Sequence, residues 1–132
     1  MNDALKFLIA NRTFYIATIE NNQPRVRPFG FVMEYEGRIY FSTGNTKDVF
    51  RQLKKNPNFE VCSTPTDYEW VRIKGKAVFD NNLTAKAKAF EVAPFLADIY
   101  KTSDNPNFEV FYIEDGEATI YSMKGEKRII KL

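Results

Sequence analysis

Between residues 13 and 43, three runs rich in strand-forming residues, TFYIATIE, RVRPFGFVMEY and RIYFST, are separated only by Asn21-Asn22-Gln23-Pro24 and Glu36-Gly37. Connections this short reverse the chain, whereas a parallel pair of strands needs a crossover of a dozen or more residues. The first third of the chain is therefore an antiparallel meander. A sheet begun this way must either protect its edges or remove them by closing on itself.

The remaining segments fit that constraint. Asn2 or Asp3 caps a short N-terminal helix with Leu5, Leu8 and Ile9 on one face. After STGN, Thr46 is placed as the N-cap of TKDVFRQLKKNP, in which Val49, Phe50 and Leu53 share a face and Asn56-Pro57 ends the helix. NFEVCST is a strand, followed by a turn at Pro65-Thr66-Asp67. In EWVRIKGKAVF, Val71, Ile73, Ala77 and Phe79 fall on one side, and Trp70, Arg72, Lys74 and Lys76 on the other. Thr84 to about Tyr100 is helical in pattern, interrupted at Pro94; FEVFYIE and EATIYSM then read as strands joined across Asp115-Gly116, with KRIIKL as a tail. The hexapeptide NPNFEV, at 56–61 and 105–110, reads as one punctuation used twice: a stop followed by a strand start. The expectation is a mainly β (β+α) domain over residues 1–132, a six- to seven-stranded antiparallel barrel with a few short peripheral helices.

Composition narrows the function. The formal net charge is only +2 with both signs scattered, which is not the basic stripe of a dedicated nucleic-acid binder. No apolar run is long enough to span a membrane and the N-terminus lacks a secretory pattern, so the expected location is cytoplasmic. A single cysteine, Cys62, excludes an internal disulfide and a cysteine-cluster metal site, and it sits in a strand-like run as a structural thiol. The chain contains no histidine. That removes imidazole-based nucleophile systems, the zincin motif and the commonest acid–base group. Any chemistry has to come from a bound cofactor, and no catalytic side chain or metal ligand is assigned.

One constellation is suited to holding such a cofactor. In PRVRPFGF, Arg25 and Arg27 point to the same face of a strand, where Pro28 has already removed a ladder donor. In FSTGNTKD, two hydroxyls, a glycine and the capping Thr46 lead into a helix whose first position is Lys47. A lysine there opposes the helix field; either it bends into water or an anion sits at that place. Arg27, Ser42, Thr43 and Lys47 can converge on one phosphate. With roughly 1.5–3 kcal/mol for each hydrogen bond to a charged group, three or four supply much of a micromolar affinity. Arg25 serves the same anion or pairs with a carboxylate such as Glu20. Gly30 permits close approach of a planar ring, and Trp70 either packs near it or is an ordinary half-buried aromatic.

At these residues the sequence resembles the pyridoxamine 5'-phosphate oxidase-like, FMN-binding split β-barrels. The resemblance runs through NQPRVRPFGF, GRIYFSTGNTKDVFRQLKKNP and EWVRIKGKA, and is nearest to the short general-stress and nitroimidazole-resistance-like members. It implies FMN as cofactor, bound between the subunits of a homodimer, and a small-molecule substrate. By position it implies that Arg27 contacts FMN, that Pro28, Phe29 and Gly30 lie along the flavin ring, and that Phe41, Ser42 and Thr43 lie near the phosphate and ribityl chain. It also implies that Lys47 takes the phosphate-binding lysine's place and that Trp70 reaches the flavin across the dimer. The true oxidases hold their substrate's phosphate with an arginine–histidine pair, so that activity is not implied for a chain without histidine. The expected function is an FMN-dependent oxidoreductase. The alternatives are a flavin or other cofactor module without turnover, haem or deazaflavin included, and a single-strand nucleic-acid barrel using Trp70.

Overall fold

The run expected as a single strand over residues 25–35 is broken in the structure, a computed structural model that describes residues 2–11, 13–64 and 66–132. Pro65, part of an expected turn, lies outside the described residues. The elements are α1 (Asp3–Ala10), β1 (Phe14–Glu20), β2 (Gln23–Phe29), β3 (Val32–Tyr35), β4 (Arg38–Gly44), α2 (Asp48–Lys55), β5 (Asn58–Ser63), β6 (Glu69–Asp80), α3 (Leu83–Val92), α4 (Leu96–Tyr100), β7 (Phe108–Ser122) and β8 (Lys127–Lys131). The strands form one eight-stranded antiparallel sheet in the order β2-β1-β5-β6-β7-β4-β3, with β8 added to the far half of β7.

That order makes β2 and β3 the two ends of the sheet path, although only Gly30 and Phe31 separate them. Three Cα–Cα steps reach at most about 11 Å, so the sheet must roll until its ends nearly meet. The result is the split barrel that the resemblance implies: an open barrel whose split is bridged by chain rather than by a ladder. The tight turns follow their residues: Asn21 and Asn22 have φ of 50° and 64°, Glu36 and Gly37 have 50° and 76°, the left-handed geometry of two-residue hairpins.

The strand count of eight departs from the expectation in three places. Besides the β2/β3 break, the tail forms β8. Asp115-Gly116 is a bulge inside β7 rather than a turn: Lys74 pairs with Glu117 and Lys76 with Glu114, leaving Gly75 opposite two residues. A Cβ on Gly75 or on Gly116 would come within 2.6 Å of Ile113 Cγ2, so the bend depends on both glycines.

Two apolar clusters hold the chain together. Inside the barrel, Phe14, Ile16, Phe41, Phe59, Val61, Ile73 and Phe111 are capped at the ends by Leu5 and Leu8 of α1 and by Val49 and Leu53 of α2. Ile9, expected on the buried face of α1, is instead half exposed. On the outer side of β4 and β7, Tyr40, Phe108 and Val110 are covered by Ala85 and Ala89 of α3 and Leu96 and Tyr100 of α4. Both faces of β7 are thus buried, which is why FEVFYI reads almost continuously apolar. No helix among the described residues is long and apolar enough to cross a membrane.

Candidate functional site

A cleft of about 220 Å³ opens at the split and is lined by Arg27, Pro28, Phe29, Gly30, Ser42, Thr43 and Lys47. Seven of the nine residues selected from sequence therefore share one cavity. The other two do not line it. Phe41 is fully buried in the barrel interior, stacked on Phe111 with ring centroids 5.4 Å apart, so only its backbone belongs to the strand that forms the wall. Trp70 lies on the outer face of β6, stacked on Tyr121 at 4.2 Å.

The backbone brings the cleft's two halves together without hydrogen-bonding them. Arg27 is on β2, paired only with β1, whereas Ser42 and Thr43 are on β4 at the other end of the sheet path. As consecutive runs of a meander their strands would be ladder neighbours; in the fold Arg27 and Ser42–Thr43 meet across the split instead. Beyond β4 the chain turns at Asn45 and Thr46, fixed by Asn45 N–H to Asn107 O and Lys47 N–H to Gly44 O. This turn takes up Thr46, so the N-cap of α2 is Lys47, not Thr46, and no side chain caps the helix. The first-turn N–H groups of α2 are left to an outside acceptor.

Three further features suit the cleft to an anion. Thr43 is 3% exposed, and its buried hydroxyl has no hydrogen-bond partner. An unpaired buried hydroxyl is uncommon; Ser63 Oγ is a second one, outside the cleft, so Thr43 counts here because it lines the cavity beside two cations. Lys47 is exposed and forms no ion pair among the described residues, while Arg27 donates only to neutral oxygens, Ile16 O at 3.2 Å and Gln52 Oε1 at 2.6 Å. Burial holds the Arg27 guanidinium below its ordinary value, with Asp48 opposing, but arginine remains charged at any neutral pH. Arg25 lies 3.8 Å from Glu20, which also takes a hydrogen bond from Arg51. That bond is the main reason the Glu20 carboxyl sits below its usual range. Of the two partners open to Arg25, the structure shows the carboxylate.

The sequence did not single out the opposite wall. Phe95, Leu96, Ile99 and Tyr100 of the α4 region close the cleft, together with Phe31 and Val49. Tyr100 is 9% exposed and its hydroxyl would meet a Cβ on Gly44 at 3.0 Å, so it packs directly on the loop that bears Thr43 and Lys47. Burial pushes the phenol up, and it stays a neutral donor. The only early signal of this wall was the helical pattern broken at Pro94. Among the described residues, no carboxylate, cysteine or histidine lines the cleft. A second, larger concavity of about 450 Å³ lies around Arg38 and Tyr112, but Glu34, Glu114 and Asp115 share its lining and Arg38 lies over the Tyr112 ring at 4.2 Å. Its charge does not suit an anion.

The family model described as pyridoxamine 5'-phosphate oxidase matches residues 1–125. A NimC/NimA family protein of Clostridium acetobutylicum is 42% identical, with 98% of this chain and 90% of that one covered and a TM-score of 0.93. A pyridoxamine 5'-phosphate oxidase-related, FMN-binding protein of Nostoc punctiforme superposes with a TM-score of 0.67 at 15% identity, covering 98% of this chain and 91% of that one. A haem-binding protein of Mycobacterium smegmatis gives 0.76 at 14% identity, with 97% of this chain and 56% of that one covered. No curated protein matches the chain.

Proposed function

Because the chain belongs to the pyridoxamine 5'-phosphate oxidase family, we propose that the cleft at the split binds FMN and that the protein is a flavin-dependent oxidoreductase acting on a small molecule. The observation that carries this reading is the pairing of an orphaned Thr43 hydroxyl with two cations that no carboxylate neutralises, Arg27 and Lys47, beside an uncapped helix start. A phosphate monoester carries about −1.5 to −2 charges at neutral pH and three acceptor oxygens, which fits that equipment. Arg27, Thr43 and Lys47 hold the phosphate; Pro28, Phe29 and Gly30 offer a flat, apolar backbone edge to the ring. When bound, the isoalloxazine supplies the electron transfer, so the missing acid–base groups in the cleft are no obstacle.

We place the protein in the cytoplasm as a homodimer, with Trp70 reaching the flavin held by the second subunit. Support for self-association comes from the outer face of the sheet, where Tyr15, Val26 and Ile129 are each more than half exposed. Oxidation of pyridoxamine phosphate is not part of the proposal, for want of the histidine that the resemblance associates with it. A second reading, a flavin module without turnover, draws on the same cleft and the same lack of a catalytic side chain. A haem reading has no histidine to serve as axial ligand.

Purified protein is expected to absorb in the near ultraviolet and blue, or to acquire those bands on adding FMN. A preparation that stays colourless and ignores FMN contradicts the reading. NAD(P)H oxidation by the FMN-loaded protein separates enzyme from silent module.

A further inference from the structure

Arg27 is held in an unusual way for a half-buried arginine. Its two terminal nitrogens donate to uncharged carbonyl oxygens, of Ile16 at 3.2 Å and of the Gln52 side chain at 2.6 Å. Gln52 lies on α2 and is 4% exposed; the same Oε1 accepts from the hydroxyl of Thr18, itself 1% exposed, at 2.6 Å. Two donors on one oxygen fix the amide's orientation and aim its carbonyl at Arg27. The nearby carboxylates are engaged elsewhere: Arg51 binds both Glu20 and Asp48, the latter at 3.2 Å.

We propose that Gln52 is a positioning residue that makes the cleft selective for a phosphate ester, because it clamps Arg27 with a neutral acceptor and leaves the guanidinium charge for the ligand. The inference rests on the flavin-phosphate reading above. A glutamate of nearly the same size would reach the same nitrogens as an ion pair, cancelling the charge where a phosphate needs it. A neutral clamp gives the same geometry and retains the field, so the donor is set before the ligand arrives. Gln52 does not line the cleft and acts only through Arg27.

The test compares FMN with riboflavin, which differ only by the phosphate, in titrations of wild type, Gln52→Glu and Gln52→Met. Wild type is expected to prefer FMN. In Gln52→Glu, FMN affinity falls about 10- to 100-fold while riboflavin affinity changes less than about 3-fold. Gln52→Met keeps the charge but loses the anchor; it retains a preference for FMN and guards against a glutamate variant that fails to fold. Equal losses for both flavins, or an undiminished preference in Gln52→Glu, overturn the proposal, since a purely structural role moves both ligands alike. Inorganic phosphate provides a flavin-free arm. At matched ionic strength it should raise the melting temperature of wild type more than that of Gln52→Glu. If wild type ignores both flavins yet shows this difference, the flavin reading fails and the role of Gln52 stands. If phosphate moves the two proteins alike, that role falls.

Discussion

Helices α1 and α3 begin on asparagine side chains. Asn2 Oδ1 accepts from Leu5 N–H at 2.8 Å, and Asn82 Oδ1 accepts from Thr84 and Ala85 N–H at 2.8 and 3.3 Å. Helix α2 begins on Lys47, whose side chain accepts nothing and adds positive charge to an end that is already positive. The first two starts have a side-chain cap; the third, like that of α4, has none, and in the proposed function an anion takes that place. In the proposed function the contrast separates helix starts that serve the fold from one that serves a ligand, and the unpaired Thr43 hydroxyl of β4, which lines the same cleft, goes with the ligand.

The contrast can be broken most severely by removing both cations. Arg27→Ala with Lys47→Ala is expected to lower FMN affinity by about 10²- to 10⁴-fold, from two charge-assisted bonds of roughly 1.5–3 kcal/mol each, with melting temperature little changed. Flavin-fluorescence titration reads the first, a thermal scan the second. Converting α2 to the pattern of its neighbours gives a smaller effect with two opposite signs. Lys47→Asn should stabilise the free protein by about 0.5–1 kcal/mol through a new cap and weaken FMN by about tenfold or more. Asn82→Ala is the mirror experiment: chemical denaturation should show a loss of about 1 kcal/mol, with FMN affinity unchanged.

Thr43→Val tests the orphaned hydroxyl. Removing an unpaired buried donor should leave the free protein equally stable or up to about 1 kcal/mol more so, while FMN affinity falls severalfold. The smallest effect belongs to Glu20, outside the cleft. Its carboxyl is held low chiefly by the hydrogen bond from Arg51, so its contribution is present above the unfolded carboxyl value, about 4.3, and is lost as pH falls through the lower folded one. Arg51→Gln should flatten that part of an acid-denaturation profile and little else, because the pair is exposed.

Which features were legible in the sequence follows from how local their causes are. NPNFEV behaves alike in both places: Asn56 Oδ1 accepts from Asn58 N–H at 3.2 Å, and Asn105 Oδ1 from Asn107 N–H at 2.9 Å. These are Asx turns, decided within three residues. The asparagine and Glu-Gly hairpins were equally local. Asp115-Gly116 carries as strong a turn signal, yet β6 runs unbroken beside it and its pairing makes a bulge of it. Tertiary pairing overrode local preference there, as it did at Gly30-Phe31, where the core on both sides of the split pulls the run apart.

The cleft divides in the same way. Arg27 to Gly30 and Ser42 to Lys47 are short contiguous segments of fitting chemistry, and the fold brings them to one cavity. Phe95, Ile99 and Tyr100 enter from a helix packed some fifty residues later in the chain. Nothing local distinguishes them from an ordinary apolar helix face. Gln52 is harder still. In sequence it is one polar residue in an amphipathic helix, and only burial against Thr18 and Arg27 gives it a role.

The central claim is that the split of the barrel holds a flavin by its phosphate, and a crystal structure of the protein with FMN tests it most directly. The account predicts phosphate oxygens within hydrogen-bonding distance of the Arg27 guanidinium, the Thr43 hydroxyl and Lys47, with the ring beside Pro28 to Gly30. A flavin seated at the concavity around Arg38, or one whose phosphate points to solvent away from Arg27, contradicts it.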